Sequence, residues 1–414
     1  MRPGFAFAVS ARDGDARAGR LETPHGAVAT PAFMAVATYG AVRGVTPAEL
    51  RALGAEIVLA NTYHLHERPG EDVVAGAGGL HGFTGWRGPW LTDSGGYQVF
   101  SLAERVHLDE DGVRFASPLD GRRRTLTPEG AIAIQEALGA DVAMVLDHCV
   151  AMRAPAAAAA PESRAPQHAP ADLVPLWRDA MERSLRWGER CLAAKRRGDQ
   201  ALFGIVQGGG DAGLRRTSAR ATGGLAFDGV AHGGLGLGED RALRGELLAA
   251  THEALPAAGP RYLMGLGRPE DVVLAIERGV DLFDCVVPTR HGRHGVAFTR
   301  GGVLHLTNAR FRDDPDPIEP GCDCPACGEH SRAYLRHLFA SGDLLAARLA
   351  TLHNLRFYYR LFADARAAIA HGRFAALRDD VLAAAAEGAT PDAGGEGIAP
   401  HSRAAESVRP GGDR

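Results

Sequence analysis

The sequence predicts an α/β fold, a (β/α)8 TIM barrel carrying an inserted zinc-binding subdomain. Two observations predict it. Eight short apolar runs recur along the chain, each ending in a polar residue or glycine, mostly with helix-like sequence after it. Three cysteines, Cys322, Cys324 and Cys327, crowd into six positions after the last run. Continuous apolar runs suit a parallel sheet covered on both faces. Eight such units suggest closure into a barrel, whose functional residues collect at the C-terminal strand ends. An open doubly wound sheet is the alternative architecture.

The runs, in order, are Phe33–Ala37 ending at Thr38, Ile57–Ala60 at Asn61, and Trp90–Thr92 at Asp93. Val142–Leu146 follows, ending at Asp147, then Leu202–Val206 at Gln207 and Phe227–Ala231 near Gly233. Tyr262–Met264 ends at Gly265 and Leu282–Phe283 at Asp284. The barrel with its additions is expected over 1–385, the zinc subdomain over about 289–385. An Ala/Pro-rich flexible insertion is expected over 151–171 and a disordered tail over 386–414.

At 414 residues with 45% hydrophobic side chains, the chain can bury a large core. Its net charge is −4, from 46 basic and 50 acidic residues, so a polyanion site must be a local basic patch. The six cysteines look like metal usage in a reducing compartment, not a disulfide framework. The N-terminus carries no apolar leader-like stretch, and no run approaches the roughly 18 apolar residues of a membrane span. A cytoplasmic protein is expected.

Cys322-x-Cys324-x-x-Cys327 offers three thiols within one tight turn. Structural zinc takes four soft ligands in a tetrahedron, so a fourth must come from elsewhere. His330, His337 and His353 lie downstream, and His353 can reach back from a separate helix. Four protein ligands leave no position for water, so the metal would be structural.

Asp93, Asp147 and Asp284 all sit at expected strand ends. A lone strand-end aspartate is as readily a helix N-cap; three on one rim point to a shared site. Two carboxylates can divide labour at an anomeric carbon, one attacking C1′ and the other moving protons for the leaving and entering groups. A third can accept two N–H bonds from a guanine-like base. Gln207 or a backbone N–H of Gly233-Gly234-Leu235 could donate to the base carbonyl. Tyr97 and Met264 could sandwich it. Arg290, Arg293 and Arg310, with His291 and His294, crowd the segment after Asp284 and suit phosphate contacts. Arg122-Arg123-Arg124 reads as an exposed basic turn.

These strings together resemble the bacterial tRNA-guanine transglycosylases, or queuine tRNA-ribosyltransferases. The likeness rests on NTYHLHERPG (61–70), LTDSGGYQVFSL (91–102), GIVQGG (204–209), HGGLGLGE (232–239), YLMGLGRPED (262–271), FDCVVPTRHGRHG (283–295) and CDCPAC (322–327) with His353. The resemblance implies a homodimeric barrel with one structural zinc per subunit. It implies exchange of guanine at the wobble position of GUN-anticodon tRNAs (Asp, Asn, His, Tyr) for a 7-deazaguanine, without ATP. It makes Asp284 the nucleophile and Asp93 the general acid/base. Asp147, Gln207, Gly234 and Leu235 would read the base, with Tyr97 and Met264 stacking on it. Arg290, Arg293 and Arg268 would contact tRNA, and Cys322, Cys324, Cys327 and His353 would hold zinc.

Where bacterial members of that family read Asp-Glu-Cys-Thr, this chain reads Asp147-His148-Cys149-Val150. Cys149 and Leu237 favour preQ1 as the incoming base over the bulkier queuine. His330 stands where the family often has Trp near its dimer contact. An archaeosine-type enzyme would carry a further C-terminal RNA-binding domain. A silent tRNA-binding subunit would lack the paired carboxylates. A sugar hydrolase would have no use for the cysteine cluster and the arginine-rich loop.

Overall fold

The computed structural model of the chain describes residues 4–98, 106–117, 119–152 and 171–388. Eight parallel strands close a barrel: β4 (Ala32–Val36), β5 (Val58–Ala60), β6 (Trp90–Thr92), β10 (Val142–Met144), β11 (Ala201–Val206), β12 (Gly229–His232), β13 (Arg261–Leu263) and β14 (Leu282–Cys285). Each contains or overlaps one of the expected runs. The circle closes where β14 pairs with β4, setting Phe283 opposite Phe33 and Asp284 opposite Met34. Strands β5, β6, β10, β11 and β14 are buried along their whole length, as a sheet walled by helices requires.

Three smaller sheets decorate the barrel. Strands β1 (Ala6–Asp13), β2 (Ala16–Thr23) and β3 (Gly26–Thr30) form an antiparallel sheet at the N-terminus. Strands β7 (His107–Leu108), β8 (Val113–Ala116) and β9 (Arg123–Leu126) form a second. Strands β15 (Val296–Thr299) and β16 (Gly302–His305) form a hairpin that opens the cysteine-bearing region. The rest of that region is helical, dominated by the helix Leu344–Ala370.

The Ala/Pro-rich stretch expected over 151–171 lies, apart from its ends, outside the described residues. Residues 386–388, assigned from sequence to the tail, are instead the last residues of the helix Phe374–Gly388; the remainder of the tail lies outside the described residues. Among the described residues, no helix is long and apolar enough to cross a membrane.

The N-terminal sheet is tied to the starts of the strands, the rim opposite the site. Buried Arg17 of β2 pairs with buried Asp281, just before β14, and its Nη1 donates to Ala257 O at 3.1 Å. Asp141, just before β10, accepts from Trp90 N at 2.8 Å and meets the His25 ring Nδ1 at 2.8 Å, with the His81 ring 3.4 Å away. Burial alone would raise the Asp141 pKa. Bonds from His81, Trp90 and His25 outweigh it and hold the carboxyl below its ordinary value. A carboxyl depressed in the folded state stabilises above about pH 4, and that contribution fades as pH falls. Asn in place of Asp141 removes one acceptor and leaves a buried donor unpaired, costing about 1–3 kcal/mol. The urea midpoint of Asp141→Asn should drop while the opposite, C-terminal rim of the barrel is undisturbed. An unchanged midpoint would remove this cluster from the account of stability.

Candidate active site and metal centre

Asp93 follows β6 and is 8% exposed. The chain turns after it through Ser94-Gly95-Gly96. Gly95 has φ +81°, and a Cβ there would sit 3.2 Å from Tyr63 N; one at Gly96 would sit 3.0 Å from Leu146 Cδ1. Glycine is therefore needed for both backbone conformation and close approach. Both Asp93 oxygens are capped: Oδ1 accepts from Thr62 N at 2.8 Å, and Oδ2 from Asn61 Nδ2 at 2.5 Å and Gln98 Nε2 at 2.8 Å. Burial pushes its pKa up to about 6 against these donors, and the Asp284 charge pushes the same way. The Asp284 charge is the smallest of these influences, after burial and the three donors.

Asp284, equally buried, sits on β14. Its Oδ1 accepts from Tyr262 OH at 2.6 Å and from Gly265 N at 2.7 Å. Among the described residues no donor reaches Oδ2. Burial raises its pKa, opposed by those two bonds. One carboxylate is therefore held by both oxygens and the other by one.

Asp147 follows β10, and its Oδ2 accepts from Gln207 Nε2 at 2.5 Å. Burial pushes its pKa up to about 6; Gln207 opposes this and the Asp93 charge adds to it. Gln207, at the end of β11, is packed against the turn after β12. A Cβ at Gly233 would lie 2.4 Å from Gln207 Nε2, and one at Gly234, whose φ is +68°, 2.7 Å from its Oε1. This glycine pair is a close-packed seat rather than a plain tight turn. Leu235 beside it is buried.

Cys149 is half-buried next to Asp147, Gln207 and the Gly234 N–H, and burial drives its thiol pKa up to about 12. Tyr97, half exposed, adjoins Cys149. Met264, half-buried, directly precedes the Gly265 whose N–H holds Asp284. His148 points away from this group, its backbone N–H on Ser184 Oγ at 2.9 Å and its ring against Arg183.

Sequence reasoning missed Asn61, Thr62, Gln98 and Tyr262 as holders of the carboxylates. Asn61 carried a signal, since it ends an apolar run; Tyr262 opens one and carried none.

The helix Val287–Arg293 starts two residues after β14 and bears Arg290, exposed, and Arg293, half-buried. Burial lowers the Arg293 pKa, and Arg43 and Arg290 lower it further, so three guanidiniums gather here. Among the described residues no carboxylate lies within ion-pair distance of these three. Arg268 adjoins His291 of the same helix and lies 3.9 Å from Glu270. Arg310 lies over the Phe311 ring at 4.7 Å. Arg122–Arg124, expected as an exposed turn, instead enters strand β9 at Arg123; Arg124 is half-buried and pairs with Glu67 at 2.7 Å, while Arg122 and Arg123 are exposed.

Cys322, Cys324, Cys327 and His353 converge with their ligand atoms within 4.8 Å of one another. His353 Nδ1 lies 3.8, 3.6 and 3.3 Å from the sulphurs of Cys322, Cys324 and Cys327. Zinc–sulphur and zinc–nitrogen bonds of about 2.3 and 2.1 Å, spread tetrahedrally, would put nitrogen and sulphur about 3.6 Å apart, so this set fits zinc. His353 Nε2 meets Phe298 O at 2.8 Å, which places the proton there and leaves the Nδ1 lone pair facing the thiols. His330 instead packs on Tyr334, with ring centroids 5.1 Å apart. Asn354, beside His353, accepts from Phe298 N at 3.0 Å and donates to Pro288 O and Val296 O, each at 2.9 Å. Gly292 lets the two helices touch, since a Cβ there would sit 2.7 Å from Thr351 N. The metal-bearing helix therefore fixes the arginine-bearing helix that follows Asp284.

Residues 13–387 match the family described as Queuine tRNA-ribosyltransferase. Curated relatives of that name include one from Sorangium cellulosum, 53% identical over 376 residues and covering 91% of each chain. Another, from Thermus thermophilus, is 52% identical over 372 residues, covering 89% of this chain and 91% of its own. A third, from Stenotrophomonas maltophilia, is 50% identical over 388 residues, covering 93% and 98%. By these matches, which span nearly the whole barrel, the chain belongs to the queuine tRNA-ribosyltransferase family.

Proposed function

We propose that the chain is a tRNA-guanine transglycosylase, a pentosyltransferase that exchanges guanine at the wobble position of GUN-anticodon tRNAs for a 7-deazaguanine. The observation that carries this reading is the unequal capping of two coupled, buried carboxylates. Asp284 Oδ2, without a donor among the described residues, attacks C1′ of the ribose, forming a sugar–enzyme ester as the bond to guanine breaks and its electron pair leaves with the base. Asp93, held by three donors near a neutral pKa, gives a proton to the departing guanine and takes one from the incoming base. Attack of that base on C1′ then releases Asp284. The ester conserves the free energy of the glycosidic bond, so no ATP is required.

Asp147, Gln207, Gly234 and Leu235 read the base, and Tyr97 and Met264 cover its faces. Arg290 and Arg293 contact the anticodon strand, with Arg268 beside them; the lack of acidic partners at the first two supports an anionic ligand. A structural zinc, one per subunit, would sit on Cys322, Cys324, Cys327 and His353. Cys149 beside the base-reading group leaves little room for a bulky substituent, which favours preQ1 over queuine. The homodimer finds exposed apolar side chains on the metal-bearing region at Tyr334 and Leu344. Such an enzyme meets its tRNA in the cytoplasm.

The test is exchange of radiolabelled guanine into anticodon stem-loops with and without guanine at the wobble position, with preQ1 and queuine offered as competitors. Asp147→Ala should raise the KM for free base about tenfold to a hundredfold, the loss of hydrogen bonds to a charged acceptor. The RNA KM should change little. Because an ionised Asp147 accepts N–H bonds on both oxygens and protonation removes the charge and one good acceptor, base KM should also rise as pH falls below about 6 in the unsubstituted chain. Base dependence untouched by the substitution would end the reading role.

A further inference from the structure

Arg215 lies on the helix Ala212–Gly223 behind the base-reading turns, with no exposed surface. Its Nε donates to Gly209 O at 3.0 Å, and its Nη1 to Val206 O at 3.3 Å and Gly233 O at 2.9 Å. Val206 immediately precedes Gln207, and Gly233 immediately precedes Gly234. One planar guanidinium therefore joins two loops that no other side chain described above bridges from behind. Its Nη2 is buried without a hydrogen-bond partner among the described residues, 3.7 Å from where a Gly234 Cβ would be. A buried donor left unpaired costs stability unless something compensates. Among the described residues no carboxylate lies within ion-pair distance of Arg215. Glu239, the acid that acts on it, is bonded to Gly236 N, Leu237 N and Arg244. Burial accordingly lowers the Arg215 pKa to about 10. Arg215 also lowers the thiol pKa of Cys149 against burial, so the two groups lie near each other.

We infer that Arg215 is the positioning residue for base recognition, fixing the spacing of Gln207 and the Gly234 N–H and setting a positive charge behind both donors. The ligand that fits is the lactam carbonyl of a guanine-type ring. When the glycosidic bond breaks, the electron pair spreads from the ring nitrogen onto that carbonyl oxygen. A fixed cation behind its two donors favours that charge. A lysine would keep the charge but not the three-carbonyl fork. This inference rests on the transglycosylase reading.

The test compares Arg215→Met and Arg215→Lys with the unsubstituted zinc-loaded protein. Affinity for free guanine is measured by calorimetry. Affinity for a stem-loop abasic at the wobble position, which does not enter the base pocket, is measured by anisotropy. Arg215→Met should lose about tenfold or more in guanine affinity while keeping stem-loop affinity, and Arg215→Lys should fall between. Guanine affinity unchanged in Arg215→Met, or both ligands weakened alike, would overturn the inference. Should Arg215→Met lose zinc or its cooperative melt, Arg215→Lys decides by the same pair of affinities: weakened guanine with stem-loop binding retained upholds it, and unchanged guanine binding overturns it. An unsubstituted protein that neither binds guanine nor exchanges it into RNA removes the transglycosylase reading itself, before any variant is made.

Discussion

Asp284→Asn is expected to abolish the denaturant-stable enzyme–RNA adduct and to lower base exchange by about 10⁴-fold or more, as loss of a covalent nucleophile does. The carboxamide keeps an oxygen for Tyr262 OH and Gly265 N, whose bonds both fall on one oxygen of Asp284. The strand end should therefore hold its shape, and the melting transition should shift little. RNA binding should survive, because the arginines of the following helix are untouched. The substitution also removes the charge that raises the Asp93 pKa, so any residual activity should peak at lower pH. An adduct that persists in Asp284→Asn would reassign the nucleophile.

Cys324→Ser is expected to lose zinc and, with it, the order of the region from β15 to the end of Leu344–Ala370. The mechanism is geometric. Cys324 caps the short helix Pro325–Glu329 by accepting from Cys327 N, and its sulphur lies 3.6 Å from His353 Nδ1. Serine offers a hard, protonated oxygen in place of a thiolate, which zinc in a sulphur-rich site binds poorly. Structural zinc in small domains supplies about 10–16 kcal/mol of apparent binding free energy. Even a fraction of that exceeds what hydrogen bonds such as those of Asn354 contribute. Because Asn354 ties this helix to Pro288 and Val296, RNA binding should weaken along with metal content. Elemental analysis showing full zinc in Cys324→Ser would remove Cys324 from the site.

The barrel strands were legible because a strand buried on both faces has to be apolar throughout, and such runs stand out between polar connections. β1 was not, since AFAVSARD alternates between half-buried and exposed and carries little contrast. The strands β7 to β9 were hidden because they are only two to four residues long, and β8 and β9 carry arginines that break any apolar run. Asp93, Asp147 and Asp284 were legible as strand ends. What holds them was not. Asn61 is 32 positions from Asp93 and Tyr262 is 22 from Asp284, and it is the pairing of β5 with β6 and of β13 with β14 that brings each pair together. His353 was within reach of sequence reasoning, as the helical histidine distant enough to close a tetrahedron. Arg215 was out of reach, because LRRTSAR reads as the polar face of a surface helix. Its burial is decided by the two loops it joins.

The central claim is that two buried carboxylates bracket one ribose and that one of them bonds to it. The most direct measurement is to incubate the zinc-loaded protein with a GUN-anticodon stem-loop without free base, digest the adduct with nuclease and protease, and locate the modified peptide by mass spectrometry. The account predicts a ribose ester on the peptide bearing Asp284, formed with release of one guanine and reversed by adding base. An adduct mapped to Asp93 or to any other residue, or guanine exchange with no covalent species at any stage, would contradict it.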